Sequence, residues 1–173
     1  MEELERTYLA KELPKGLSAF PAKEMLDIYL PSTAAHPDLR IRKRGDTLEM
    51  TKKQPIVAGD SSRQLEQTIP LTKAEYDELS SLRGKRVAKT RYYYREDGVD
   101  FEVDVFHGGL EGLVLVDVEF SSIAAKDAFS MPPFCLAEVT QEKFLAGGML
   151  CGKTYADIQT DLARFGYKKL ALP

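Results

Sequence analysis

Residues 113–120 read Leu-Val-Leu-Val-Asp-Val-Glu-Phe, an apolar stretch that ends with two carboxylates spaced two residues apart. This alternation predicts a β-strand, in which residues i and i+2 point to the same face. Asp117 and Glu119 then leave one side of the strand, and Val116 and Val118 leave the other. Two anions side by side repel each other, so either water solvates this face or a cation is held against it.

The composition is that of one soluble globular domain, and we treat residues 1–173 as a single domain. Charged residues make up 29% of the chain and the net charge is −3, which argues against broad binding to nucleic acid or to anionic membranes. No apolar run approaches the length of a membrane span. Cys135 and Cys151 are the only cysteines, and we expect both to be reduced and structural, as in a cytoplasmic protein.

Other predicted strands also carry their charges on one face, and the charges are sorted by sign from strand to strand. A charged strand face commonly points to solvent, but a solvated surface more often mixes signs within a strand. A closed antiparallel barrel explains the sorting better, with the charges lining a lumen and the apolar faces covered by helices. The basic faces carry Arg40 with Arg42 and Lys89 with Arg91, and the acidic faces carry Glu3 with Glu5, Glu102 with Asp104, and Asp117 with Glu119.

Proline signals after Ala10 predict a short helix there. Capping signals and breaks in the alternation predict four more helices farther along the chain. Thr72 caps the first of them, and Glu75 stands in the capping-box position. The predicted helices run from Thr72 to about Leu82, from Ser121 or Ser122 to about Phe129, from Glu138–Thr140 through Leu150, and from about Thr154 to Phe165.

A lumen with a basic side and an acidic side suits a polyanion that a divalent cation bridges to carboxylates. Mg²⁺ or Mn²⁺ prefers carboxylate and phosphate oxygens, and arginine matches a phosphate group with two parallel hydrogen bonds. A linear triphosphate fits this description. The chain has no Gly-x-x-x-x-Gly-Lys-Ser/Thr loop, so the pattern does not indicate a P-loop protein.

Seven short motifs, spread over nearly the whole chain, resemble those of the CYTH superfamily, also called triphosphate tunnel metalloenzymes. Each motif is weak alone, but their order along the chain is specific, and the compact bacterial members that act as inorganic triphosphatases are the most similar. The motifs are Glu3-Leu4-Glu5-Arg6-Thr7, Arg40-Ile41-Arg42, Thr51-Lys52-Lys53, Lys89-Thr90-Arg91-Tyr92, Asp104-Val105-Phe106-His107-Gly108, Asp117-Val118-Glu119 and Glu138-Val139-Thr140.

The resemblance implies an α+β fold that is mainly antiparallel β, with an eight-stranded closed barrel, a polar lumen and flanking helices. It also implies metal-dependent hydrolysis of a linear triphosphate, with Mg²⁺ or Mn²⁺ as cofactor; whether the protein is a monomer or a homodimer stays open. By this resemblance, Arg40, Arg42, Lys53, Lys89 and Arg91 bind phosphate, Lys53, Lys89 and Glu138 take part in catalysis, and Glu3, Glu5, Asp117 and Glu119 bind metal with the support of Asp104.

The chain departs from the family pattern at three places. Thr7 stands where the family has lysine, Asp117 replaces a glutamate, and the strand from Gln64 to Thr68 keeps one acid, Glu66. Two other functions therefore remain open: an adenylate cyclase of the same scaffold, and an inactive module that binds polyphosphate or nucleotide. Cyclase members usually carry a His-Phe pair before the first acidic strand, and this sequence starts too close to Glu3 to include one.

Overall fold

The computed structural model describes residues 2–171, and the alternating segments of the sequence form the strands of one antiparallel sheet. Within these residues there are nine strands, and each ladder between neighbours is antiparallel. They are β1 (Glu2–Ala10), β2 (Ala22–Leu30), β3 (Leu39–Arg44), β4 (Thr47–Pro55), β5 (Arg63–Pro70), β6 (Lys85–Glu96), β7 (Val99–Phe106), β8 (Val114–Glu119) and β9 (Cys135–Glu138).

Eight of these strands form a barrel in the order β1-β5-β4-β3-β2-β6-β7-β8. The barrel is closed because β8, the last strand in this order, pairs with β1, the first. The closing ladder between β1 and β5 is short, and Glu3 lies opposite Gln64 in it. Farther along β1, the ninth strand β9 pairs with it, and Tyr8 lies opposite Glu138. The predicted eight-stranded closed barrel is confirmed, and β9 is an additional strand that the sequence pattern did not predict.

Four α-helices occur in the described residues, and they flank the barrel as predicted. Thr72 caps the first with a capping box, in which its side chain accepts a hydrogen bond from the Glu75 backbone N–H. Three of the predictions place a helix correctly but extend it slightly too far. The helices are α1 (Lys73–Ser80), α2 (Ile123–Ala128), α3 (Gly147–Leu150) and α4 (Tyr155–Ala163).

The continuous helix predicted to lead from Glu138–Thr140 through Leu150 is wrong. The backbone N–H of Val139 donates to the carbonyl of Thr7 at 2.8 Å, so this part of the chain extends the sheet instead of starting a helix. A short 3₁₀ turn, Lys143–Leu145, and the four-residue helix α3 follow it.

The inward faces of the strands are polar over one part of the barrel and apolar over the other. Phe106 and Leu115 point inward and pack in a buried cluster with Leu145 and Leu150 from the chain after β9. Outward-facing valines such as Val103 form a second cluster on the other side of the strands. The predicted lumen is therefore present, but apolar side chains fill one end of it.

Cys135 and Cys151 are free and buried, as expected for structural thiols. None of the helices in residues 2–171 combines the length and the apolar character that crossing a membrane requires.

Candidate active site

The lumen encloses a cavity of about 420 Å³ that charged side chains from all eight barrel strands surround. Period-two alternation places these side chains inside, because successive residues of a strand point to opposite faces of the sheet. The prediction that the sorted charges face inward is confirmed. The predicted site residues that line the cavity are Glu3, Glu5, Arg40, Arg42, Lys53, Lys89, Arg91, Asp104, Asp117 and Glu119.

An acidic wall forms where β1 and β8 lie side by side. In this ladder Glu5 is opposite Glu119, and Thr7 is opposite Asp117. Burial raises the pKa of Glu119, and the nearby carboxylates of Glu102, Glu3 and Glu5 raise it further. Burial likewise raises the pKa of Asp117, with the negative charge of Glu5 as the next cause. Burial and the neighbouring carboxylates thus both disfavour the charged forms of Glu119 and Asp117, and a cation bound at this wall would favour them.

Thr7, which replaces the family's lysine, points into the lumen beside this wall. Its hydroxyl donates a hydrogen bond to Asp117 Oδ1 at 2.7 Å. A threonine can orient this carboxylate but cannot neutralise it, so the departure from the family pattern leaves the acidic wall short of one positive charge.

Lys53 on β4 supplies positive charge to the same wall from across the closing seam of the barrel. Its Nζ lies 2.7 Å from Glu3 Oε2 and 2.9 Å from Glu5 Oε1. Burial alone would lower the pKa of Lys53, but the carboxylates of Glu5 and Glu3 outweigh burial and raise it. Lys53 therefore stays charged and acts as the counter-ion of two predicted metal ligands.

Arg91 and Lys89 on β6 form a second ion-pair group with the acids of β7. Arg91 holds Asp104 with two parallel hydrogen bonds, Nε to Oδ1 at 2.7 Å and Nη2 to Oδ2 at 2.6 Å, and it also pairs with Glu102 and Asp117. Lys89 pairs with Asp104 as well. Burial would raise the pKa of Asp104, but Arg91 and Lys89 outweigh it and hold that pKa below the usual range. Asp104 thus already pairs with two cationic side chains, Lys89 and Arg91. This arrangement does not favour the predicted role of Asp104 as an additional metal ligand.

Arg42 on β3 meets a carboxylate that the sequence reasoning missed. Its Nε and Nη2 donate to Asp27 Oδ1 and Oδ2 at 2.6 and 2.7 Å, and both side chains are buried. Arg40 donates to Tyr29 Oη at 3.4 Å and lies 3.6 Å from Glu66 Oε2. The stretch Asp27-Ile28-Tyr29-Leu30 is by itself too short to show that Asp27 faces inward. The full period-two run of β2 is the signal that could have found it.

Glu138, the third predicted catalytic residue, is not among the side chains that line the cavity. Its carboxylate lies 3.5 Å from Arg6 Nη1 and accepts a hydrogen bond from Thr140 Oγ1 at 2.9 Å. Its catalytic role stays a prediction, and the position of the side chain does not favour that role.

Comparison with known proteins identifies the family of this arrangement, although no family model matches the chain. The sequence is 40% identical over 146 residues to an inorganic triphosphatase of Nitrosomonas europaea, across 83% of this chain and 92% of that protein. The chain belongs to the inorganic triphosphatase family. Its barrel also matches the crystal structure of an inorganic triphosphatase with a TM-score of 0.64 and 33% identity, over 87% of this chain and 95% of the other.

A more distant structure shares the barrel alone. A candidate adenylate cyclase from Bacillus halodurans matches with a TM-score of 0.53 and 14% identity, over 99% of this chain and 95% of that one. This match shows the fold only; the 40% identity to an inorganic triphosphatase confirms the resemblance read from the motifs.

The triphosphatase-family lumen offers the donor chemistry of a divalent cation site. Glu3, Glu5, Asp117 and Glu119 present carboxylate oxygens, which are hard ligands that suit Mg²⁺ or Mn²⁺. Among residues 2–171, however, no three acidic, histidine or cysteine side chains are grouped closely enough to hold a metal ion. The donors fit the cation by type. Lys53 pairs with Glu3 and Glu5, and Arg91 pairs with Asp117.

Proposed function

We propose that this protein hydrolyses a linear triphosphate, with inorganic tripolyphosphate as the substrate, inside the lumen of the barrel. The observation that carries the proposal is one cavity in which a basic group, Arg40, Lys53, Lys89 and Arg91, faces the carboxylates of β1 and β8. An inorganic phosphate chain needs only charge and hydrogen bonds, which is what these walls offer. Membership of the inorganic triphosphatase family supports the same substrate.

In this proposal the arginines and lysines bind the phosphate oxygens. Arginine matches phosphate geometry through its planar fork, and lysine contributes a point charge. Arg42 supports them as a fixed charge, because Asp27 already holds its guanidinium with two hydrogen bonds. Lys53 and Lys89 contact the reacting phosphate and stabilise the charge that spreads over its oxygens in the transition state.

Glu3, Glu5, Asp117 and Glu119 hold Mg²⁺ or Mn²⁺ in the proposed enzyme. When bound, such an ion polarises the phosphoryl group and helps to orient an attacking water. The raised pKa of Glu119, caused by burial and by the neighbouring carboxylates, supports a cation at this wall. Free, buried cysteines support the further proposal that the enzyme works in the reducing cytoplasm.

Product analysis tests the proposal directly. Purified protein is incubated with tripolyphosphate or with ATP, in chelator and then with Mg²⁺ or Mn²⁺, and the products are separated by ion-exchange chromatography. We expect phosphate and pyrophosphate from tripolyphosphate, only with a divalent cation. Cyclic AMP from ATP would identify a cyclase, and binding of tripolyphosphate without turnover would identify an inactive binding module.

A further inference from the structure

The β1 segment that carries Glu5 lies at a gap in the barrel seam. The ladder of β1 with β5 ends at Leu4, and the ladder with β9 begins only at Tyr8. In the gap, the Glu5 backbone N–H donates to the carbonyl of Ser62 at 3.1 Å. A turn before β5, residues 60–62, therefore takes the place of a neighbouring strand beside this part of β1. Glu5, a predicted metal ligand, enters the lumen at this point.

Gln64 connects this turn to the carboxylate of Glu5. Its Nε2 donates to Glu5 Oε1 at 3.1 Å and to the carbonyl of Ser61 at 3.0 Å. An amide nitrogen has two hydrogens, and this geometry uses both. The Glu5 side chain is thereby tied to the turn as well as to Lys53 on the neighbouring strand β4, whose Nζ donates to the same Oε1 at 2.9 Å.

The turn itself is fixed from outside the barrel by a buried lysine. Lys126 on α2 is 8% exposed, and its Nζ donates to Ser62 Oγ at 2.6 Å. Ser62 Oγ in turn donates to Asp60 Oδ1 at 2.7 Å, and Gln141 Nε2 donates to the same oxygen at 3.2 Å. A buried ammonium group is costly unless it is hydrogen-bonded, so this placement indicates a specific structural task.

We infer that Gln64 is a positioning residue that orients the Glu5 carboxylate for a divalent cation, and that Lys126 supports it by holding the turn at Ser62. The inference rests on the proposed function, because it takes Glu5 as a metal ligand. Groups that orient a ligating carboxylate typically change metal affinity or activity by about 10–100-fold when they are removed. Gln64 lines the cavity next to Glu3 and Glu5, because it lies opposite Glu3 in the ladder between β1 and β5.

The experiment measures Mn²⁺ binding by isothermal titration calorimetry in the absence of substrate, with thermal melting in chelator as the measure of folding. Gln64→Leu should weaken Mn²⁺ binding about tenfold and raise the Mn²⁺ concentration that gives half-maximal turnover. At saturating Mn²⁺ its KM for tripolyphosphate should match that of the unaltered protein. Gln67→Leu is the matched control, because Gln67 lies on the same strand but is exposed and does not line the cavity. This control should change neither the affinity for Mn²⁺ nor the Mn²⁺ concentration that gives half-maximal turnover.

Lys126 provides the second arm of the test. Lys126→Met should weaken Mn²⁺ binding in the same direction by a smaller factor, and Lys126→Arg, which keeps the charge and a donor, should restore part of the loss. Because both residues act through the same turn, Gln64→Leu combined with Lys126→Met should cost less than the product of the single effects.

Separate results overturn the inference and the function on which it rests. If the unaltered protein binds Mn²⁺ and Gln64→Leu binds it equally well, Gln64 does not position a metal ligand. A higher KM for tripolyphosphate in Gln64→Leu, with unchanged Mn²⁺ binding, would make Gln64 a substrate contact instead. Fully multiplicative effects of the two substitutions would show that Lys126 acts elsewhere. An unaltered protein that neither binds Mn²⁺ nor hydrolyses tripolyphosphate would overturn the proposed function together with the inference.

Discussion

Replacing Lys53 by methionine removes the counter-ion from two carboxylates without shortening the side chain much. In the structure, Lys53 Nζ lies 2.7 Å from Glu3 and 2.9 Å from Glu5, and the side chain is only 19% exposed. We expect Lys53→Met to destabilise the protein in chelator and to make its stability depend more strongly on Mn²⁺. The reason is that the two carboxylates lose their partner and become available to a divalent cation.

The size of the effect follows from the burial of this group. Removing one member of a buried ion pair costs about 3–5 kcal/mol, because the remaining charge is left uncompensated. The lumen admits some water, so we take the lower end, about 3 kcal/mol. For a domain of this size each kcal/mol corresponds to roughly 2–4 °C in melting temperature, which gives a decrease of about 6–12 °C. Mn²⁺ at one hundred times its dissociation constant would return about 2.7 kcal/mol of this stability.

Thermal denaturation followed by circular dichroism, in chelator and across a Mn²⁺ series, measures both effects. Lys52→Met is the matched control, because Lys52 is the next residue on β4 and is exposed outside the lumen. The control should melt like the unaltered protein. The reasoning is refuted if Lys53→Met melts at the unaltered temperature in chelator, or if Mn²⁺ stabilises the unaltered protein as strongly as the variant.

Three further predictions concern other parts of the lumen. Burial would raise the pKa of Asp27, but Arg42 outweighs it and lowers that pKa to about 2, below the unfolded value of about 3.9. The pair thus contributes about 2–3 kcal/mol of stability above pH 4. This contribution is lost as the pH falls through about 2; urea unfolding at several pH values should show the slope, and Asp27→Asn should lack it. Asp117→Ala or Glu119→Ala should abolish Mn²⁺-dependent turnover while the protein stays folded in chelator, and full turnover would contradict the assignment. Thr7→Lys should raise kcat/KM on tripolyphosphate about tenfold to a hundredfold, since a charge-assisted contact contributes roughly 1.5–3 kcal/mol; unchanged steady-state kinetics would mean that the site is built around threonine.

Where a strand shows several alternating residues, the sequence was sufficient to predict which of its side chains enter the lumen, because that depends only on alternation within the strand. Arg40 with Arg42 and Asp117 with Glu119 face inward for this reason. Asp27 was missed for lack of such a run. The sequence was not sufficient to predict which acid meets which base, because partners depend on strand order and register. Lys53 meets a carboxylate 48 residues away in the sequence, and nothing local in the chain indicates that pairing.

The errors after β8 have a similar origin. The segment from Glu138 to Thr140 was expected to lead into a helix, but its backbone pairs with the sheet through the hydrogen bond from Val139 N–H to the Thr7 carbonyl. Valine and threonine favour strands, which agrees with this pairing. The same pairing turns Glu138 toward Arg6, away from the lumen where the family motif led us to expect it.

The ion pairs of the lumen also limit which ligands can enter it. An anion that draws Lys53 toward itself would leave Glu3 and Glu5 buried without a counter-ion, and a divalent cation that takes those carboxylates would leave Lys53 unpaired. Either exchange alone leaves a buried charge uncompensated, which is unfavourable. A triphosphate that arrives with its divalent cation replaces both partners of the ion pair at once. The phosphate oxygens then become the partners of Lys53, and the cation becomes the partner of Glu3 and Glu5. Arg91 repeats this arrangement with Asp104 and Asp117, so the same requirement applies to the second ion-pair group.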